Sequence, residues 1–208
     1  MLLHEHLENG ADKNPNFPFS EFEGNSLSYQ EANLLSNQLA NKLVSEGLEV
    51  GDRFAFLAKN CTEMAIMYYA ASKVGAVPVP LNYRLADQEW AYIINDSEAK
   101  LIIVKGNEYS DRINQISSEL KNVKKYISIS LDNSIEKFQD FYDWLSDSSN
   151  EKPTLKIHEN DDVYQMYTSG TTGHPKGAVL LQRNVAANIR QYLNLSLIHI
   201  SEPTRLVS

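Results

Sequence analysis

The stretch of this sequence with the clearest potential for chemistry is Tyr167–Gly177, which reads YTSGTTGHPKG. It holds four Ser or Thr hydroxyls, three glycines, one proline and one lysine. Glycine lets backbone N–H groups approach an anion closely, and successive N–H groups in a loop form an anion-binding concavity. The hydroxyls add donors, and Lys176 adds a positive charge on a long side chain. The composition therefore predicts a loop that wraps a polyphosphate.

This loop differs from a Walker A phosphate loop. Walker A has glycine directly before its lysine and Ser or Thr directly after it, whereas Pro175 and Gly177 flank Lys176. Residues 163–167 are β-prone, and residues 178–181 form a short apolar run that is typical of a second strand. We predict a strand–loop–strand hairpin. The alternative interpretation is a Gly/Thr surface loop that binds no ligand.

The ordered string resembles the signature phosphate loop of the acyl-adenylate-forming, or AMP-binding, superfamily of acyl- and aryl-CoA synthetases. The pattern there is roughly [YF]-T-S-G-[ST]-T-G-x-P-K-G; every constrained position matches, and His174 falls on the free one. Residues 69–84, YAASKVGAVPVPLNYR, and residues 27–31, LSYQE, resemble two further segments of the family. Within the family, the Pro-Leu-Asn-Tyr-Arg stretch favours a stand-alone CoA ligase of fatty or related acids.

The resemblance implies an ATP-dependent reaction in two halves. A carboxylate attacks the α-phosphorus of ATP to give an acyl-adenylate and pyrophosphate, and the thiol of coenzyme A then displaces AMP. It implies that Mg²⁺ bridges phosphate oxygens and that Lys176 neutralises charge on the departing pyrophosphate. The implied phosphate-binding residues are Thr168, Ser169, Gly170, Thr171, Thr172, Gly173 and Lys176. No residue is assigned as a catalytic acid or base, or as a metal ligand.

Three alternatives remain open within this interpretation. The acceptor could be a carrier-protein thiol, as in peptide-synthetase adenylation domains, or the adenylate could be oxidised, as in luciferases. The 208-residue chain could also be a non-functional fragment with weak nucleotide binding.

Two features depart from the family pattern. Gln182 stands where the family usually has a histidine, so no role of that histidine is carried over. Residues 195–205, LSLIHISEPTR, resemble a translated transposase adapter from sequencing libraries. We therefore expect residues 1–194 to be a partial amino-terminal AMP-binding domain and residues 195–208 to be a non-native tail. The resemblance implies that the adenine, magnesium and adenylation-lysine groups lie beyond residue 194.

The elements that must position the loop can be predicted from the patterns before it. Strands and helices alternate from residue 53 to residue 145, which predicts an α/β fold, a wound layer with helices packed on a mostly parallel sheet. Ser28 and Glu31 have the spacing of a capping box. Residues 101–104 indicate a strand buried on both faces, and the prolines in 77–80 indicate an edge strand or an irregular strand. Helices are predicted at 87–95, 109–121, 136–145 and 182–193.

Composition limits the partners and the compartment. The chain is 42% apolar and 22% charged, with a formal net charge of −8, which argues against nucleic acid as a partner. It has one cysteine, Cys61, so no intrachain disulfide is possible and a reducing, cytoplasmic compartment is expected. We expect Cys61 to be packed and chemically inert. The amino terminus, with His4 and His6, is expected to be solvated, and no signal peptide or transmembrane segment is expected.

Overall fold

The computed structural model describes residues 1–131, 135–168 and 173–201. The helices are α1 Leu3–Lys13, α2 Tyr29–Ser45, α3 Thr62–Val74, α4 Asp87–Asp96, α5 Asn107–Ile116, α6 Phe141–Leu145 and α7 Gln182–Ser201, with a 3-10 helix at Ser117–Glu119. The strands are β1 Pro18–Phe22, β2 Asn25–Ser28, β3 Arg53–Leu57, β4 Val77–Pro80, β5 Leu101–Lys105, β6 Lys125–Ile129, β7 Phe138–Asp140, β8 Asp162–Thr168 and β9 Lys176–Leu181. No helix among the described residues has the length and apolarity needed to cross a bilayer.

The central feature is a five-stranded parallel sheet in the order β4-β3-β5-β6-β7. The predicted α/β fold with a mostly parallel sheet is confirmed. β4 lies at one edge, where the missing N–H groups of its two prolines do no harm. Residues 101–104 of β5 are buried on both faces of the sheet, as predicted from their continuous apolar run.

Alternating side chains of the strands form two cores. Phe54 and Phe56 of β3 point to one face, which α1, α2, α3 and α6 cover. Ala55 and Leu57 point to the other face, which α4 and α5 cover. Because successive side chains of a strand point to opposite faces, one strand supplies both cores. The result is a three-layer sandwich of helices, sheet and helices.

Several local predictions agree with the structure and several were wrong. The capping box is confirmed: Glu31 N donates to Ser28 Oγ at 3.2 Å, and Ser28 N donates to Glu31 Oε2 at 2.8 Å. The helix predicted at 136–145 is instead β7 followed by α6. Asp140 caps α6 by accepting hydrogen bonds from Tyr142 N and Asp143 N, so the helix cannot begin earlier.

The predictions for both ends of the chain were also wrong. The amino terminus is not solvated, because α1 packs on α2 and α3 and its His4 and Leu7 are buried. α7 does not end at 193 but continues to Ser201.

The helix predicted at 109–121 corresponds to α5. α5 is shorter than predicted, because it ends at Ile116 and the 3-10 helix follows it.

Candidate functional site

The candidate phosphate loop is carried at the tip of an antiparallel hairpin formed by β8 and β9. The strand–loop–strand prediction is therefore confirmed. Tyr167 pairs with Gly177, and Thr168 pairs with Lys176, which closes the ladder directly below the loop. β8 runs beside β4 and packs on α3, where the Tyr164 ring meets Tyr68 edge-on at a centroid distance of 5.8 Å. The hairpin thus fixes where the loop begins and ends.

Three of the seven predicted phosphate-binding residues can be located. Thr168 and Lys176 are exposed and face each other across the mouth of the hairpin, and Gly173 is exposed with a φ of 131° that favours glycine. Ser169, Gly170, Thr171 and Thr172 lie outside the described residues.

The Lys176 side chain is exposed at the mouth of the hairpin. Within the described ranges it forms no ion pair with a carboxylate. An ammonium group that no protein carboxylate neutralises can neutralise a phosphate instead. Among the described residues, Thr168 and Lys176 therefore offer a hydroxyl and a cation that suit a phosphate. No set of three or more His, Cys, Asp or Glu among the described residues is placed to hold a metal ion.

Two contacts join the loop to α4, and the sequence patterns did not indicate them. The His174 ring stacks on Tyr92 with centroids 4.6 Å apart and an interplanar angle of 19°. The Tyr167 hydroxyl donates to Asp96 Oδ2 at 2.6 Å. Burial, followed by this hydrogen bond and the Asp96 charge, raises the pKa of Tyr167, so the phenol remains protonated and acts as a donor. Local periodicity gives no signal for such contacts, since they join positions more than seventy residues apart.

Gln182, which replaces the usual histidine, faces the amino-terminal helix. Its side chain is fully buried; Nε2 donates to Ser72 Oγ at 2.9 Å, and Oε1 accepts from Leu3 N at 3.2 Å. His4 Nδ1 lies 2.9 Å from the same Ser72 hydroxyl. This cluster joins α1, α3 and the start of α7 at the base of the hairpin. The glutamine therefore has a structural role in this chain.

The buried His4 predicts a pH-dependent stability. Burial lowers the pKa of His4, with Lys73 acting in the same direction and Glu8 opposing it. The folded state therefore keeps the imidazole neutral, whereas the unfolded chain binds a proton near the ordinary pKa of about 6.5. The free energy of unfolding therefore keeps its full value above about pH 6.5. It decreases as the pH falls toward and through the folded-state pKa of His4, by up to about 1.4 kcal/mol per pH unit.

Urea unfolding between pH 7.5 and 5 measures this effect. We expect His4→Gln to remove part of the pH dependence that the free energy of unfolding of the unmodified chain shows over this range. His158→Gln, at an exposed histidine, is the matched control and should leave that pH dependence unchanged. An identical pH profile for the unmodified chain and His4→Gln would contradict the assignment.

Cys61, at the start of α3, is the other group with potential reactivity that the sequence singles out. Burial, with the nearby Glu63 charge, raises its pKa to about 11, so the thiol stays protonated and unreactive near neutral pH. This agrees with the expected inert role.

Comparison with known proteins extends what the geometry shows. A family model described as AMP-binding enzyme matches residues 7–204. The chain is 34% identical over 161 residues to the long-chain-fatty-acid–CoA ligase FadD13 of Mycobacterium tuberculosis, an alignment that covers 76% of this chain and 30% of the ligase. It is 28% identical over 206 residues to surfactin synthase subunit 2 of Bacillus subtilis, covering 99% of this chain and 5% of that protein.

A solved structure shares the fold of this chain. The amino-terminal domain of FACL13 from Mycobacterium tuberculosis superposes with a TM-score of 0.77 at 29% identity, covering 89% of this chain and 45% of that chain. The chain thus spans about a third of the FadD13 ligase and under half of this solved domain. The match over most of the chain, together with the hairpin and its loop, shows that this chain belongs to the AMP-binding enzyme family.

Proposed function

We propose that this chain is the phosphate-binding part of an ATP-dependent acid–thiol ligase. The enzyme would convert a carboxylic acid, of the fatty or a related class, to an acyl-adenylate and then to an acyl-CoA. The single observation that carries the proposal is the hairpin that presents Thr168 and Lys176 at the mouth of a Ser/Thr/Gly loop, where Lys176 forms no ion pair with any residue that the structure describes. The similarity to a mycobacterial fatty-acid–CoA ligase supports the substrate class.

The first half-reaction brings a carboxylate to a polyanion, so charge neutralisation and alignment dominate its barrier. In our proposal the β- and γ-phosphates lie in the loop, against Thr168, Ser169, Gly170, Thr171, Thr172 and Gly173. Lys176 lies beside the same phosphates and stabilises the charge that develops on pyrophosphate as the α-phosphorus accepts the carboxylate oxygen. Mg²⁺, when bound with ATP, would add further charge neutralisation through phosphate oxygens.

We also propose that the functional protein is longer than the chain. The support is the share of the relatives that it spans and the eleven-residue match of 195–205 to an adapter translation. Residues 1–194 would then be the native part and residues 195–208 a tail of foreign origin. A cytoplasmic location is proposed from the single cysteine.

A second candidate is an adenylation domain that loads a carrier-protein thiol. The observation that favours it is the alignment of nearly the whole chain with surfactin synthase subunit 2. The two candidates share the first half-reaction and differ only in the thiol that accepts the acyl group.

The experiment starts with sequencing of the source locus across codon 194 and expression of the complete reading frame. The product is given ATP, Mg²⁺ and a panel of carboxylic acids, with either coenzyme A or a phosphopantetheinylated carrier protein as acceptor. We expect AMP release and acyl-CoA formation with at least one fatty or related acid. Acylation of the carrier alone would favour the second candidate. A locus that itself encodes LSLIHISEPTR and then stops would contradict the proposed tail.

A further inference from the structure

Both ends of the phosphate loop are attached to a single helix, α4. Before the loop, the Tyr167 hydroxyl donates to Asp96 Oδ2 at 2.6 Å. After the loop, His174 stacks on Tyr92, whose hydroxyl also donates to Pro175 O at 3.4 Å. Tyr92 and Asp96 are four residues apart, so they lie one above the other on the same face of α4. One helix face therefore contacts the chain where it enters and where it leaves the loop.

The glycine that closes the motif makes the Tyr167 contact possible. Gly177 is the cross-strand partner of Tyr167. A Cβ atom at position 177 would lie 2.4 Å from Gln165 Nε2 and 2.9 Å from Tyr167 Cζ, closer than real side chains approach. The Tyr167 ring therefore lies over the bare backbone of Gly177. Tyr167 and Gly177, the first and last residues of the motif, thus together position the phenol hydroxyl of Tyr167.

A short chain of hydrogen bonds fixes that hydroxyl. Arg53 Nε donates to Gln165 Oε1 at 3.3 Å, and Gln165 Nε2 donates to Tyr167 Oη at 3.1 Å. Tyr167 then donates to Asp96. The hydroxyl accepts one bond and donates another, so its orientation is specified from both sides.

Helix stability does not explain why an aspartate occupies position 96. Asp96 is the last residue of α4, where the negative end of the helix dipole disfavours a carboxylate, and the last turn contains no basic residue. It is exposed, and it forms no ion pair with any residue of the described ranges. Its favourable contacts are with two phenol groups: it accepts the hydrogen bond from Tyr167 and interacts electrostatically with the Tyr92 hydroxyl.

We propose that α4 is the anchor of the phosphate loop, with Asp96 and Tyr92 as positioning residues that hold its two ends. Thr168 directly follows Tyr167, and Lys176 directly follows Pro175, so each anchor point is one residue away from a phosphate-binding residue. The β8–β9 ladder pairs Thr168 with Lys176, and holding both points fixes where this pair lies relative to α4 before ATP arrives. The role in catalysis rests on the proposed function, whereas the anchoring itself can be tested without it.

Limited trypsin digestion of the 208-residue chain tests the anchoring. The readout is the cleavage rate after Lys176 divided by the rate after Arg183, an exposed site at the start of α7. Loss of a hydrogen bond to a charged group should raise this ratio about tenfold in Asp96→Ala and in Tyr167→Phe. Asp96→Asn keeps an acceptor oxygen and should stay close to the unmodified chain. Asp111→Ala, at an exposed carboxylate on α5, is the matched control.

Two further results sharpen this test. Combining Tyr167→Phe with Asp96→Ala should raise the ratio by less than the product of the two single effects, because the Tyr167–Asp96 bond is lost in both single variants. The melting temperature of Asp96→Ala should be unchanged or slightly higher, because a charge that opposes the helix dipole is removed. An unchanged cleavage ratio in Asp96→Ala would overturn the anchor.

The catalytic consequence is measured on the enzyme expressed from the complete reading frame, by ATP–pyrophosphate exchange. We expect Asp96→Ala to raise the KM for ATP about tenfold and to leave the KM for the carboxylic acid unchanged, with rescue by Asp96→Asn. A purely structural defect would lower kcat and leave both KM values as they were, which overturns the positioning role. If the unmodified enzyme shows no exchange, the proposed function fails. The digestion result alone then decides whether α4 anchors the loop.

Discussion

Replacing Lys176 with alanine should slow adenylate formation by about 10²–10³-fold, the usual cost of losing one preorganised charge partner at a reacting centre. Lys176 is exposed at the mouth of the hairpin, in the last residue pair before the loop, and forms no ion pair among the described residues. In our proposal its ammonium group faces charge that develops only as pyrophosphate departs. The loss should therefore fall on kcat of the first half-reaction.

The measurement separates the two half-reactions in the full-length enzyme. Single-turnover formation of acyl-adenylate is followed first, and thioester formation from preformed acyl-adenylate second. Lys176→Ala should affect the first strongly and the second little. Lys156→Ala, at another exposed lysine, is the control and should affect neither. An equal loss in both half-reactions would contradict the role given to Lys176.

Replacing Glu8 with alanine should cost about 3–5 kcal/mol of unfolding free energy, because it leaves a buried ammonium group without its charge partner. The Lys73 side chain is only 2% exposed; its Nζ donates to Glu8 Oε1 at 3.0 Å and to Asn33 Oδ1 at 2.8 Å. Burial lowers the pKa of Lys73 despite the opposing effect of Glu8. The pair joins α1 to α3, and α1 in turn contacts Gln182 at the base of the hairpin. Its loss should therefore also loosen the support of the phosphate loop.

Urea unfolding at pH 7 measures this cost, and the second partner of Glu8 provides the control. Lys152 Nζ also contacts Glu8, at 2.8 Å, but its side chain is 67% exposed. Lys152→Ala should cost less than about 1 kcal/mol, as is usual for exposed pairs. If Glu8→Ala does not fold, the double variant Glu8→Leu/Lys73→Met, which removes both charges, should fold again. A cost for Glu8→Ala no larger than that for Lys152→Ala would contradict the account.

The elements that sequence patterns predicted well are those whose signals are local. The capping box of Ser28 and Glu31 is complete within four residues, and the apolar run of β5 needs no knowledge of its neighbours. The hairpin was likewise indicated by a β-prone segment and a short apolar run on either side of a glycine-rich segment. Each of these signals arises from backbone geometry or burial over a few residues.

The parts that could not be predicted depend on distant contacts. α1 has few apolar residues, and beside the buried Leu7 it is held by the Glu8–Lys73 pair and the His4–Ser72 contact, each joining positions more than sixty residues apart. The anchoring of the loop by Tyr92 and Asp96 has the same character. No local period indicates that an exposed carboxylate at the end of α4 accepts a hydrogen bond from the first residue of the phosphate motif.

The measurement that tests the central claim most directly is ATP–pyrophosphate exchange by the full-length enzyme, without coenzyme A or any carrier protein, with each acid of a panel of carboxylic acids. Our account predicts exchange that requires Mg²⁺, depends on at least one fatty or related acid, and falls about 10²–10³-fold in Lys176→Ala. Exchange that needs no carboxylic acid, or that persists unchanged in Lys176→Ala, would contradict the assignment of this hairpin as the phosphate-binding element of an acid–thiol ligase.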